Sequence, residues 1–209
     1  AGEHALELLD EGCDFPDGPP LGLFTPAAIR GLTLGCLAMT SHTRGDYRLA
    51  RTRLAALADA PGLPVWMVHG LGESAWVEAS TGDLRSARTI ASRALLVADD
   101  LGLGQHPAVA VAHLALARTL LEQGESAEAD AQLAVGVARA RLNNRYIVLS
   151  YAVAQRAHAE LVAGRAGDGL DGIRRARTEG RPPFVPVVEA RLVALEARLH
   201  LLAGNPTSA

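Results

Sequence analysis

Lysine is absent from this chain, and all 20 basic residues are arginine. That excludes a Gly-x-x-x-x-Gly-Lys phosphate loop, which cannot be written without lysine. Exclusive use of arginine marks a GC-rich, bacterial coding sequence rather than a functional choice. Aromatic residues are scarce at 4%, although 49% of the chain is hydrophobic, most of it Ala and Leu. That balance argues against a sheet sandwich, which needs Val, Ile, Tyr and Phe, and for thin, closely packed helices. Only two cysteines occur, Cys13 and Cys36, and they lack metal or redox spacing. A reduced cytoplasmic setting is therefore expected. No apolar run reaches a membrane span, because Gln105, His106 and His113 interrupt the longest candidate. No stretch reads as a signal peptide. With a net charge of −3, nothing calls for nucleic acid or an anionic membrane as partner.

Catalytic patterns are missing as well. The sequence has no His-Glu-x-x-His and no Gly-x-Ser-x-Gly elbow. Its histidines (His4, His42, His69, His106, His113, His158 and His200) never pair at metal-ligand spacing. No enzyme, metal site or cofactor is expected.

What is present is a phrase that returns. Glycines following apolar helical stretches stand at Gly45, Gly82, Gly124, Gly164 and Gly204, at intervals of 37, 42, 40 and 40 residues. Five places after them come Ala50, Ala87, Ala129, Gly169 and Ala209; seven places before them come Ala38, Ala75, Ala117, Ala157 and Ala197. A period near 40 with small residues in matched columns is the pattern of a helical repeat array. Each glycine suits the left-handed residue that ends a helix, and Asp46, Asp83 or Glu125 then favours the next helix start. The small residues let the paired helices approach closely where they cross.

The expected helices are 26–43 and 47–59, 64–80 and 84–101, 107–122 and 126–142, 145–163 and 167–178, then 185–203. Breakers separate the pairs, and Pro64, Pro107 and Pro186 fall in the first turn of the helix that follows. The units run over about 26–63, 64–106, 107–143, 144–183 and a truncated 184–209. Residues 1–25 are expected to hold the end of a preceding repeat, with Gly2-Glu3 as its turn, and the loop after it. The chain is expected to be excised from a longer multidomain protein. The fold class is all-α, a solenoid of about five antiparallel helix pairs.

"GDYRLA" at 45–50 resembles the turn and second-helix start of tetratricopeptide repeats, Gly-Asp-Tyr-x-x-Ala. "GDLRSA" and "GESAEA" match it well, "GNPTSA" acceptably and "GRAGDG" poorly. Every unit exceeds the usual 34-residue period, and the large aromatic positions are mostly absent. Longer Ala/Arg/Leu-rich repeats of this style resemble the helical-repeat sensor region of large LuxR-type, MalT-like bacterial transcription regulators. The phrases at 114–133 and 189–209 carry that likeness. The resemblance implies a nucleotide-binding domain upstream and a helix-turn-helix domain downstream in the same polypeptide.

It also implies a concave groove lined by the first helix of each pair, at thirteen and six places before the turn glycine. Those places are Leu32 and Met39, His69 and Trp76, Val111 and Arg118, Tyr151 and His158, and Arg191 and Arg198. The series passes from apolar through aromatic to cationic, which suits an acidic peptide end or a small polar effector. The candidate groove is therefore His69, Trp76, Arg118, Tyr151, His158, Arg191 and Arg198, weighed against plain packing between units. Glu73 and Gln155 read as solvated helix residues, Cys36 and Trp66 as core, and Arg174, Arg175, Arg177 and Arg181 as a solvated face. The expected role is a non-catalytic sensor or interaction segment without direct nucleic-acid contact; a free-standing adaptor for a partner peptide is the alternative. Either leaves room for a homodimer.

Overall fold

The computed structural model describes residues 2–10, 25–59, 64–142, 146–178 and 184–204. Among the described residues there are ten α-helices and no strand. They are α1 (Gly2–Asp10), α2 (Pro26–Thr43), α3 (Tyr47–Asp59), α4 (Pro64–Thr81), α5 (Leu84–Asp100), α6 (Ala110–Glu122), α7 (Ser126–Arg141), α8 (Tyr146–Val162), α9 (Ala166–Thr178) and α10 (Pro186–Leu202). These bounds follow the sequence expectation closely, with two differences. Helix α1 already includes Gly2, where a turn was expected. A 3-10 turn, Pro107–Val109, precedes α6, with the His106 ring accepting from the Ala108 amide at 3.1 Å. Residues 13–24 of the expected loop and, within the breakers, 60–63, 143–144 and 179–183 lie outside the described residues; the breaker at 102–107 is described, as turns that lead into Pro107–Val109.

The recurring phrase is a recurring turn. Gly45, Gly82, Gly124, Gly164 and Gly204 all have φ between 75 and 90°. The residue after the first four donates its amide to the carbonyl five places earlier: Asp46 to Ser41, Asp83 to Glu78, Glu125 to Leu120 and Arg165 to Glu160, all at 2.9–3.0 Å. That six-to-one bond requires the left-handed residue which glycine supplies without a Cβ clash. Asp46 and Asp83 then cap the next helix, their Oδ1 atoms accepting from the Leu49 and Ser86 amides at 3.0 Å. Glu125 makes no such cap; its longer side chain reaches Arg88 at 2.6 Å instead.

Helices pair across each turn, α2 with α3, α4 with α5, α6 with α7 and α8 with α9. The crossings are where the small residues fall. Ala38, Ala50, Ala75, Ala87, Ala117, Ala129 and Ala157 are all buried. The exception in that column, Gly169, has its own reason: a Cβ there would meet the Leu199 methyl groups at 2.8 and 2.9 Å. Leu199 of α10 is fully buried in the notch that glycine leaves. Between pairs, the even-numbered helices touch in order, α2 to α4, α6, α8 and α10, and α10 returns to contact α2. The even series therefore closes on itself, and its inward faces meet.

Three residues sit differently from expectation. Glu73 and Gln155 are buried, because the inward faces of α4 and α8 are covered by the returning helices. Cys36 is exposed, facing a gap beside Trp66 and Pro107.

Two glycine substitutions separate tight crossing from helix propensity. Gly172 in α9 has open space at its Cβ position, so Gly172→Ala is expected to stabilise by about 0.5–1 kcal/mol. At Gly72 a Cβ would lie 3.0 Å from the Ala112 backbone nitrogen, and backbone cannot step aside. Gly72→Ala is expected to lose about 1–3 kcal/mol despite the propensity gain. Urea unfolding of both variants checks the opposite signs.

Candidate functional site

Helical spacing brings the inward side chains into one place. On α4, His69, Glu73, Trp76 and Ser80 share a face; on α8, Tyr151, Gln155 and His158; on α10, Arg191 and Arg198. Closure of the even series sets these faces against His42 of α2 and Arg118 of α6.

At the centre the Trp76 and Tyr151 rings stack, with centroids 4.6 Å apart and planes at 15°. Both are buried, at 3% and 1% exposure, so much of their area is packing. His42 lies against the pair, its ring 5.4 Å from Tyr151 and its Nδ1 3.2 Å from the Tyr151 hydroxyl. Behind it the Glu73 carboxylate sits between two imidazoles, 3.7 Å from His42 Nδ1 and 3.9 Å from His69 Nε2. Among the described residues no three His, Cys, Asp or Glu side chains converge as metal ligands.

In front of the stack is a recess of about 240 Å³. Trp76, Tyr151, His42, Tyr47, Ala154, Val187 and Val188 give it apolar and aromatic walls; Ser80, Arg118 and Arg191 give it polar ones. Arg118 places its guanidinium carbon 5.7 Å from the Trp76 ring and donates to Ser80 Oγ at 2.9 Å. Arg191 donates to Gln155 Oε1 at 3.1 Å. Burial lowers the pKa of both. That of Arg191 is pushed down to about 9, first by burial and then by repulsion from Arg118, so it remains a cation at neutral pH. A second recess of about 280 Å³ adjoins the first at these two arginines and adds His158, Arg198 and Glu122.

The seven candidate residues thus divide. Trp76, Arg118, Tyr151 and Arg191 line the first recess, while His158 and Arg198 join the two arginines in the second. His69 faces elsewhere, into a separate gap of about 330 Å³ with Leu32, Cys36 and Met39. A larger hollow, about 610 Å³ between α7 and α8, has Arg156 paired to Asp130 at 3.4 Å on its wall.

His42, Tyr47, Glu73, Ser80 and Gln155 were missed in the sequence. A signal existed for three of them. Nine places before each turn glycine stand Cys36, Glu73, Ala115, Gln155 and Leu195, so two polar residues interrupt an apolar column. Three places before stand His42, Ala79, Leu121, Leu161 and Leu201, with His42 as the odd member.

Removing the central ring by Tyr151→Ala is expected to cost about 3–5 kcal/mol, whereas Tyr151→Phe, which loses only the hydroxyl, costs about 1 kcal/mol in the same unfolding assay. Acid should also destabilise the fold. Burial lowers the pKa of His158, helped by Arg191, and that of His113, from the ordinary 6.5. The folded state therefore holds both rings neutral, and the unfolded chain takes protons first. This contribution is complete above pH 6.5 and is lost as pH falls below it. The melting temperature is expected to drop between neutral pH and pH 5, and less steeply in His158→Gln.

Comparison with protein-family models finds no match, and comparisons with curated proteins and with solved structures find no significant one.

Proposed function

We propose that this chain is a non-catalytic sensor module, a tetratricopeptide-like α-solenoid within a cytoplasmic, LuxR-type transcription regulator, and that its effector occupies the interior recess. One observation carries the sensing part of this reading. The recess takes a wall from every even-numbered helix: His42 from α2, Trp76 from α4, Arg118 from α6, Tyr151 from α8 and Arg191 from α10. An occupant touches all five even-numbered helices at once, so its affinity depends on how they are arranged.

A ligand shifts a conformational equilibrium only by its differential affinity for the two arrangements. Small rotations between successive repeats add up along an array, which converts a local preference into a change at its ends. The regulatory context itself rests on the resemblance of the repeats, with a nucleotide-binding domain and a helix-turn-helix domain as partners in the same polypeptide. A free-standing adaptor gripping an extended peptide fits less well, because the inward faces enclose a small recess rather than an open groove.

Two measurements test this. Coding sequence around the segment should specify a P-loop on the upstream side and a helix-turn-helix downstream; its absence on both sides removes the regulator. In a small-molecule screen, an effector should change Trp fluorescence and raise the melting temperature together, and a Trp76→Phe variant should lose most of the fluorescence response.

A further inference from the structure

The arginines of this protein are paired in an unexpected order. Several exposed ones have carboxylates: Arg51 meets Glu78 at 2.7 Å, Arg88 meets Glu125 at 2.6 Å and Arg174 meets Asp171 at 2.5 Å. Arg177 holds both Glu189 and Glu196 at 2.8 Å. Arg118 and Arg191 are withdrawn from water, yet among the described residues neither has a carboxylate within ion-pair distance. Their polar partners are neutral, Ser80 Oγ and Gln155 Oε1. A desolvated cation is costly unless an anion or a full set of acceptors replaces its water. Here the set is incomplete: Arg118 Nε, and Gln155 Nε2 beside Arg191, are buried without a hydrogen-bond partner among the described residues.

The surroundings offset this only in part. Arg198 adds a further cation to the adjoining recess beside the neutral His158, and the acidic residue on its wall, Glu122, favours both guanidinium cations without coming within ion-pair distance of either; it lies 4.0 Å from His158. Glu73 is screened from the recess behind His42 and His69. The missing counter-charge has a place to sit, because both recesses meet at the two guanidiniums.

We propose that the recess binds a small organic oxyanion, a carboxylate or phosphate held between Arg118 and Arg191 with its apolar body against Tyr47, Val187 and Val188. This rests on the sensor reading above and gives its effector a chemical class. Guanidinium groups match the planar edge of a carboxylate or phosphate. The body is required because the first recess is mostly apolar, and a bare inorganic ion leaves that wall facing water. At about 240 and 280 Å³, the two recesses together fall within the usual range for small-molecule sites.

The test compares benzoate, phenyl phosphate and neutral benzyl alcohol by thermal shift and Trp fluorescence, at matched ionic strength, on the chain and three variants. Arg118→Gln and Arg191→Gln remove the buried charge and leave a shorter, neutral polar side chain; Arg174→Gln makes the same change at an exposed site as a control. At least one anion should raise the melting temperature with concentration and benzyl alcohol should not. Benzoate alone assigns a carboxylate, phenyl phosphate alone a phosphate. Each recess variant should weaken that anion about ten- to a hundredfold, while the control binds as the parent does. Without ligand, Arg191→Gln should melt no lower than the parent, because an unpaired cation has gone.

Two results overturn the proposal: no response to either anion beyond that to sodium chloride, or a response that both recess variants retain. If benzyl alcohol or other neutral compounds act through the recess while the anions do not, the anion assignment fails and the sensor reading stands. If no compound of either kind shifts the protein, both fail.

Discussion

One backbone hydrogen bond organises the molecule. After each of the first four turn glycines, the next amide reaches back to the carbonyl five residues earlier, and the chain can do this only through a left-handed residue. The bond fixes the direction in which the second helix leaves the first. Fixed direction puts the same two columns of each hairpin at the crossing point, and the crossing admits only small side chains there. Ala at 0–3% exposure in these columns of the four complete hairpins, and Gly169 where Leu199 presses in, are the packing result of a turn that leaves little freedom of approach.

The interior follows from how the hairpins are arrayed. Once α10 returns to α2, the inward faces are largely withdrawn from water, and the polar groups buried there need partners or a ligand. Glu73 finds two histidines, Tyr151 finds His42, and Arg191 finds Gln155. Arg118 Nε and, beside Arg191, Gln155 Nε2 are donors that this mutual satisfaction leaves without an acceptor, and the two guanidiniums stand at the junction of the two recesses.

That division also explains what was legible in the sequence. A turn that demands glycine, and a crossing that demands alanine, leave local marks at constant spacing; helix bounds such as Pro26–Thr43 and Tyr47–Asp59 could be read directly from them. The groups that converge on the recess were legible only as columns. Trp76, Arg118, Tyr151 and Arg191 emerged because one face of each first helix was followed across units. Glu73 and Gln155 did not, since a carboxylate or amide on a helix usually means solvent, and their burial depends on a helix more than thirty residues away in the chain. Cys36 failed in the opposite sense: its apolar helix suggested core, but the space beside it is a gap that no neighbouring helix fills.

The return of α10 to α2 has a kinetic side. An open succession of hairpins is stabilised by neighbours alone, so its terminal units fray first and nucleation can begin in any of them. Contacts of that kind are local and form quickly. The contact between Tyr151 and His42 spans 109 positions and joins α8, the fourth helix of the even series, to α2, the first. It closes a loop whose entropy must be lost before any reward is gained. Closure is thus expected to follow formation of the individual hairpins. Once made, it couples the outermost hairpins to each other, so that opening at one end weakens the other and the chain unzips as one cooperative body.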